Sequence, residues 1–208
     1  MNTQIISKLK TICLLVIFFG SVLACKNEVK STAVNTDQVA QKTTPFFKLS
    51  LAQWSLHKYV NEENGSPFKF ASQAKELGFE GLEYVNHLYA KEIETFGFDT
   101  VIDSLQTLST QYGMRNVLIM IDGEGDLASP DVAVRDQAVE NHKKWVDAAQ
   151  KLGCHSIRVN TFGTNDPALW VPSVADGLQK LSAYAATKNI NVLCENHGWL
   201  SSDVPVLM

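Results

Sequence analysis

Asn189-Ile190-Asn191-Val192-Leu193-Cys194-Glu195-Asn196-His197-Gly198 places a carboxylate and an imidazole together where an apolar run stops. Ile190, Val192, Leu193 and Cys194 form a short, nearly continuous apolar segment, as expected of a central strand in a parallel sheet covered on both faces. Glu195, Asn196 and His197 then fall at its carboxyl end, the end where strand–helix repeats bind ligands and metals. Taken alone, these residues equally fit a Glu, a helix-capping Asn and a surface His in an ordinary loop. The flanking sequence decides between the two.

Upstream, Val174 to Lys188 carries Leu178, Leu181, Ala185 and Ala186 at helical spacing, and Cys154 to Asn160 reads as a strand before it. Ser129-Pro130-Asp131 opens a long helix with a cap, a proline in the first turn and an acid at the positive dipole end. Its apolar stripe includes Ala138, Val139, His142, Trp145 and Val146, with Val134 and Ala149 at its ends, and Gly153 stops it. Arg115 to Asp122 is the most apolar strand, preceded by a helix over Phe98 to Tyr112. Phe79 to Val85 and Phe47 to Leu56 complete five strands, with a helix over Pro67 to Leu77 between them. Strand starts recur about every 30 to 40 residues, the rhythm of a repeated strand–helix unit with right-handed crossovers.

Residues 199–208 begin a further unit without finishing it. A closed parallel barrel needs eight strand–helix units and about 250 residues. The expected fold is therefore an α/β TIM (β/α)8 barrel over 46–208 of which only about the first five units are present, with an unusual open sheet as the alternative. A half barrel leaves a strand edge unpaired, so self-association is expected.

The formal charge is -4, and 16 basic against 22 acidic side chains remain once residues 1–24 are set aside. That balance disfavours nucleic acid as a partner. Arg115, Arg135 and Arg158 are the three arginines, too few and too scattered for an obvious phosphate cluster. Lys8 and Lys10 precede an apolar run over 11–20 and small residues before Cys25, which reads as a secretory signal over 1–24. Val22-Leu23-Ala24-Cys25 resembles a bacterial lipobox, departing from its commonest form at Val22 and Leu23. This implies lipidation of Cys25, a membrane partner through that anchor and a location in the bacterial cell envelope. Residues 25–45 are rich in Lys, Asn, Ser, Thr and Gln and read as a flexible tether. Cys154 and Cys194 fall too far apart on neighbouring strands to bond and read as small buried apolar residues.

Leu-Gly-Phe-Glu-Gly-Leu-Glu-Tyr-Val (77–85), Leu-Gly-Cys-His-Ser-Ile-Arg-Val-Asn (152–160) and Val-Leu-Cys-Glu-Asn-His-Gly (192–198) resemble the second, fourth and fifth strands of the xylose isomerase-like sugar phosphate isomerase/epimerase family. The resemblance implies a barrel that binds one divalent cation at its mouth, with Mn, Mg, Co and Zn not distinguished. It makes Glu195 the first metal ligand and a base, and takes the remaining ligands from strands six to eight. The metal is thus expected only in a longer form.

Within such a barrel the strand-end polar residues share one mouth. These are Gln53, Trp54 and His57, then Glu83, Asn86 and His87, then Asp122, then Arg158 and Asn160, and finally Glu195, Asn196 and His197. Amides and carboxylates suit a polyol, and Trp54 suits the apolar face of a sugar. Arg158 could polarise the oxygen where charge develops. Asp122 also fits turn chemistry, since Gly123-Glu124-Gly125-Asp126 follows. Glu83 also fits an ion-paired strand end, while His142 and His155 read as structural.

Two functional classes follow: a metal-dependent sugar isomerase or epimerase, with a lyase or hydrolase acting on an oxidised sugar left open, or a carbohydrate-binding barrel without catalysis. The anchor is directly testable. Cys25→Ser is expected to move the chain from the detergent to the aqueous phase in a phase-partition assay of expressing bacteria. Unchanged partition would rule out the lipid.

Overall fold

In the computed structural model, which describes residues 46–207, the five apolar runs are five parallel strands. They are β1 (Ser50–Ala52), β2 (Gly81–Val85), β3 (Arg115–Ile121), β4 (Ser156–Val159) and β5 (Asn191–Cys194), and they lie in the order β1-β2-β3-β4-β5. The expected signal, the Cys25 lipidation site and the tether lie outside the described residues. Sequential parallel order with crossovers of one hand puts all connecting helices on one face. It is the arrangement of the first strands of a singly wound barrel.

The connecting helices are α1 (His57–Asn61), α2 (Phe70–Glu76), α3 (Ala90–Phe96), α4 (Phe98–Gln111), α5 (Val132–Leu152) and α6 (Pro167–Thr187), with a last turn α7 (Val204–Leu207). None of the described helices is long and apolar enough to cross a membrane. The Asp131 carboxylate caps α5 by accepting from the backbone N–H groups of Ala133 and Val134, and Gly153 ends that helix in the left-handed region at φ 73.

Alternation along each strand separates the two faces of the sheet. Leu82 and Tyr84 of β2, Ile119 and Ile121 of β3, and Ile157 and Val159 of β4 pack with Ala74, Ile102, Val146 and Leu181 of the helices in one core. Each fully buried Leu or Ile there contributes about 1.5–3 kcal/mol. The register Tyr84↔Ile119↔Ile157↔Val192 lines these side chains up across the sheet. An irregularity between β2 and β3 pairs Leu82 with Asn116 and Glu83 with Leu118, skipping Val117. It turns Asn116 to the helix side. There its amide donates to Ser109 Oγ (3.0 Å) and the Leu152 carbonyl (2.8 Å) and accepts from the Tyr84 hydroxyl (2.7 Å). Leu118 and Met120 consequently face the other side, with Val85. Burial pushes the Tyr84 phenol far above its ordinary range, so it stays a donor.

Several expectations are corrected. The first strand is three residues long and gives way at once to a 3-10 turn over Gln53–Leu56. The long helix is capped by Asp131 instead of Ser129, so Pro130 precedes the cap. Helix α6 starts two turns before Val174, with Asp166 accepting from Ala168 N–H and Pro167 at the first helical position. It then runs through Pro172. Strand β5 is not covered on both faces: Asn191, Leu193 and Cys194 are exposed and Val192 is half-buried. Cys194 is therefore an exposed thiol, whereas Cys154 is buried and burial pushes its pKa up to about 12. Val134 is half exposed.

Two glycines let the segment between β3 and α5 lie close against α6 and the turn after β4. A Cβ on Gly163, at φ +155, would lie 2.2 Å from the Ala128 carbonyl carbon, and one on Gly177 in α6 would lie 2.1 Å from the Leu127 oxygen. Gly177→Ala is therefore expected to lower stability in urea unfolding by on the order of 1–3 kcal/mol. Helix propensity alone favours Ala by about 1 kcal/mol. A variant as stable as the parent would refute the close approach.

Candidate functional site

The face of the sheet away from the helices forms one wall of a cleft of about 920 Å³ at the carboxyl ends of the strands. Asp122, immediately after β3, is held from two sides. Asn86, after β2, donates Nδ2–H to the Asp122 carbonyl (2.9 Å) and accepts the Asp122 N–H on Oδ1 (2.8 Å). Asn160, after β4, donates Nδ2–H to Asp122 Oδ1 (2.6 Å). His87 Nδ1 stands 3.4 Å from the other carboxylate oxygen.

Arg158, the inward residue of β4, links the strand ends. One of its terminal nitrogens contacts Glu195 Oε2, and the other lies 3.7 Å from Asp122 Oδ1. The Glu195 N–H continues the β4–β5 ladder by donating to the Val159 carbonyl (3.0 Å), which fixes where its side chain leaves the strand. His197 Nδ1 also donates to Glu195 Oε2, at 3.0 Å. Burial pulls the Arg158 pKa down, while Asp122 and Glu83 act in the opposite sense. A guanidinium remains charged at neutral pH regardless. Two polar atoms in this cluster are buried without a partner: Arg158 Nε and Asn160 Oδ1.

Glu83 faces the cleft and accepts from the Ser50 hydroxyl. Trp54 is half exposed at the rim, stacked on His57 with centroids 4.3 Å apart and edge-on to His87 at 5.4 Å. The structure thus brings Trp54, Glu83, His87, Asp122, Arg158, Asn160, Glu195 and His197 to one cleft. Four expected contacts are placed elsewhere. Gln53 is buried in the core: the 3-10 turn after β1 swings it inward, where Nε2 donates to Tyr89 Oη (2.8 Å) and Oε1 accepts the Val85 N–H (3.0 Å). Asn86 is spent on the Asp122 backbone and is itself buried. Asn196 is exposed, His57 is half-buried beneath Trp54, and neither lines the cleft.

Sequence reasoning missed Glu124 and treated His142 as core alone. Glu124 accepts from Trp145 Nε1–H (2.6 Å), pairs with Lys144 (2.9 Å) and lines the cleft. The Gly-Glu-Gly-Asp run after β3 was the available signal. His142 is 2% exposed yet forms part of the cleft wall. Its Nδ1–H donates to the Ala138 carbonyl (2.7 Å), so the neutral ring presents Nε2 as an acceptor.

Among the described residues, no group of three or more His, Cys, Asp or Glu side chains could hold a metal ion. Glu195 can serve as one carboxylate ligand, but its Oε2 is engaged by Arg158 and His197. The described residues therefore do not close a coordination shell around the expected cation.

A sequential parallel sheet with helices on one face and a polar cluster at its carboxyl ends defines an α/β protein of the barrel class. This chain belongs to the xylose isomerase-like TIM barrel family, which matches residues 71–204. No curated protein matches the sequence. Among solved structures, D-psicose 3-epimerase with D-tagatose from Clostridium cellulolyticum H10 is similar at 16% identity and a TM-score of 0.56, over 70% of this chain and 51% of that one. The zinc-bound IOLI protein is similar at 13% identity and 0.57, over 71% and 51%. The 3-keto-D-glucoside 4-epimerase YcjR from E. coli is similar at 16% and 0.50, over 61% and 49%. The chain spans about half the length of these structures. At such identities the likeness is one of fold.

Burial lowers the His142 pKa from its ordinary 6.5. Because the folded-state value is depressed, the neutral ring contributes stability above pH 6.5 that is lost as pH falls from there through the lowered value. Urea midpoints are expected to drop over that window and to flatten in His142→Leu. Equal pH slopes in both proteins would refute the assignment.

Proposed function

We propose that this chain carries part of the active site of a sugar isomerase or epimerase, in which Glu195 moves a proton on the carbon next to a carbonyl. The observation that carries the reading is Arg158, which joins Glu195 to Asp122 across the carboxyl ends of β3, β4 and β5. Solved relatives of the same fold named as sugar epimerases support it.

In the proposed step the substrate C–H proton passes to the Glu195 carboxylate. The electron pair forms the enediolate double bond, and the developing negative charge falls on the oxygen facing Arg158. Both contacts to Glu195 fall on Oε2, so Oε1 is assigned as the oxygen that takes the proton. Trp54 covers an apolar sugar face at the rim. Five carboxylates line the cleft, Glu83, Asp122, Glu124, Asp126 and Glu195, with Arg158 the one Lys or Arg among the described lining residues. That field favours a neutral polyol over a phosphorylated sugar. A divalent ion with Glu195 as one ligand would need donors beyond the described residues, and no step is assigned to it. Lipidation at Cys25 would place this chemistry in the cell envelope.

A second reading, a carbohydrate-binding barrel without catalysis, is favoured by the engagement of Glu195 Oε2 with Arg158 and His197, which opposes its use as a base. Deuterium uptake next to the carbonyl of D-psicose and D-fructose, followed by proton NMR in heavy water, separates the two. Catalysis predicts exchange that slows about 100-fold or more in Glu195→Gln while sugar affinity changes little. Binding without exchange in either protein would establish the second reading, and no binding would overturn both.

A further inference from the structure

Arg158 Nε and Asn160 Oδ1 are the buried side-chain polar atoms without a partner among the described residues. A buried polar group left unpaired is costly, and a native site that keeps one has a use for it. One of the pair is a donor and the other an acceptor. They stand two residues apart at the carboxyl end of β4, so their side chains leave the same face of the sheet. Both line the cleft. Both also converge on one atom: Asp122 Oδ1 accepts from Asn160 Nδ2 at 2.6 Å and lies 3.7 Å from the Arg158 terminal nitrogen. With Asp122 fixed by Asn86 and the guanidinium held by Glu195, the amide and the guanidinium are both anchored, and Nε and Oδ1 are the atoms they leave unspent.

A group that accepts one hydrogen bond and donates another satisfies both atoms at once. A hydroxyl does this. A carboxylate or phosphate oxygen cannot donate to Asn160 Oδ1, and an ammonium cannot accept from Arg158 Nε. We infer that Arg158 Nε and Asn160 Oδ1 form a hydroxyl subsite that makes one particular free hydroxyl of the substrate obligatory. This rests on the reading of the cleft as a sugar site and adds its specificity: a neutral sugar unsubstituted at that hydroxyl, neither deoxygenated nor phosphorylated there. The donor–acceptor pair sets the stringency, since a site built to hydrogen-bond a hydroxyl rejects the analogue lacking it by leaving its own groups unpaired.

Calorimetric titration of the full chain with D-fructose, D-psicose and D-tagatose, then with the single-position deoxy analogues of the tightest binder, tests this. One deoxy position is expected to lose about 100-fold in affinity, and the others about tenfold or less. The fluoro analogue at that position accepts but cannot donate, and falls between. In Asn160→Ala the discrimination at that position is expected to shrink to about tenfold or less. Even losses across all deoxy positions would overturn the subsite, as would discrimination that survives Asn160→Ala. The analogue series on the unmodified chain stands even if that variant does not fold. Binding without discrimination overturns this inference alone, whereas no binding of any ketohexose overturns the sugar reading with it.

Discussion

Asp122 ties together strand ends that the sheet itself leaves loose. Past the last ladder pair of a parallel sheet, backbone N–H and C=O groups lose their partners, and the chain is free to wander unless something else satisfies them. At Asp122 the Asn86 side chain does so with both of its polar atoms, as one more rung between β2 and β3. The Asp122 carboxylate then reaches β4 through Asn160 and Arg158, and Arg158 reaches past β5 to Glu195. Four strand ends are thus fixed relative to one another by side-chain contacts added to the ladder, and the cleft takes its shape from that chain of contacts.

Such an arrangement has an electrostatic cost. Carboxylates brought together at a half-buried mouth repel, and each resists desolvation. One guanidinium placed between Glu195 and Asp122, with Glu83 near enough to hold its charge, offsets part of that repulsion. The same geometry defines Arg158 chemically. Of its five N–H donors, those on the terminal nitrogens lie beside the Glu195 and Asp122 carboxylates, and Nε–H is the buried one without a partner, so toward a developing oxyanion Arg158 acts through its charge as well as through a directed donor. Removing either carboxylate would leave the other more tightly paired with Arg158, so the three act as a unit and their effects are not expected to add.

Periodicity made most of the fold legible. The period-2 and period-3.6 segments around Leu82, Ile119, Ile157 and Leu181 identified four strand–helix units, because the apolar face of each had one place to go. The candidate site was legible where a polar residue follows directly on an apolar run, as Asp122 and Glu195 do, or stands at the end of a strand, as Arg158 and Asn160 do. It was obscured where local geometry overrides the run. After a three-residue β1 the chain enters a 3-10 turn, which sends Gln53 into the core and Trp54 to the rim. Val117 resets the alternation of β3, so that the polar Asn116 is buried with hydrogen bonds to Tyr84, Ser109 and Leu152. Neither event has a marker in the residue types. Glu124 was hidden for a different reason: glycines on both sides read as a turn, and only the tertiary contact with Trp145 shows where its carboxylate goes.

The opposite wall of the cleft depends on absence of side chains. Leu127 and Ala128, fully buried, press against Gly177 and Gly163 so closely that no Cβ fits at either glycine. The β3–α5 segment, which carries Glu124 and Asp126, is thereby seated on α6 and on the turn after β4. Arg135 strengthens the same seat, donating to the Ser129 carbonyl (2.5 Å) and to Asp176 of α6 (2.7 Å). Because Asp176 is one residue from Gly177, the ion pair and the close approach act at the same turn of the helix. A rotation of α6 large enough to relieve a side chain at Gly177 would also break the Arg135–Asp176 pair. It would draw Glu124 away from the carboxyl ends of the strands, so the acidity of the cleft is set as much by packing behind its wall as by the residues that face it.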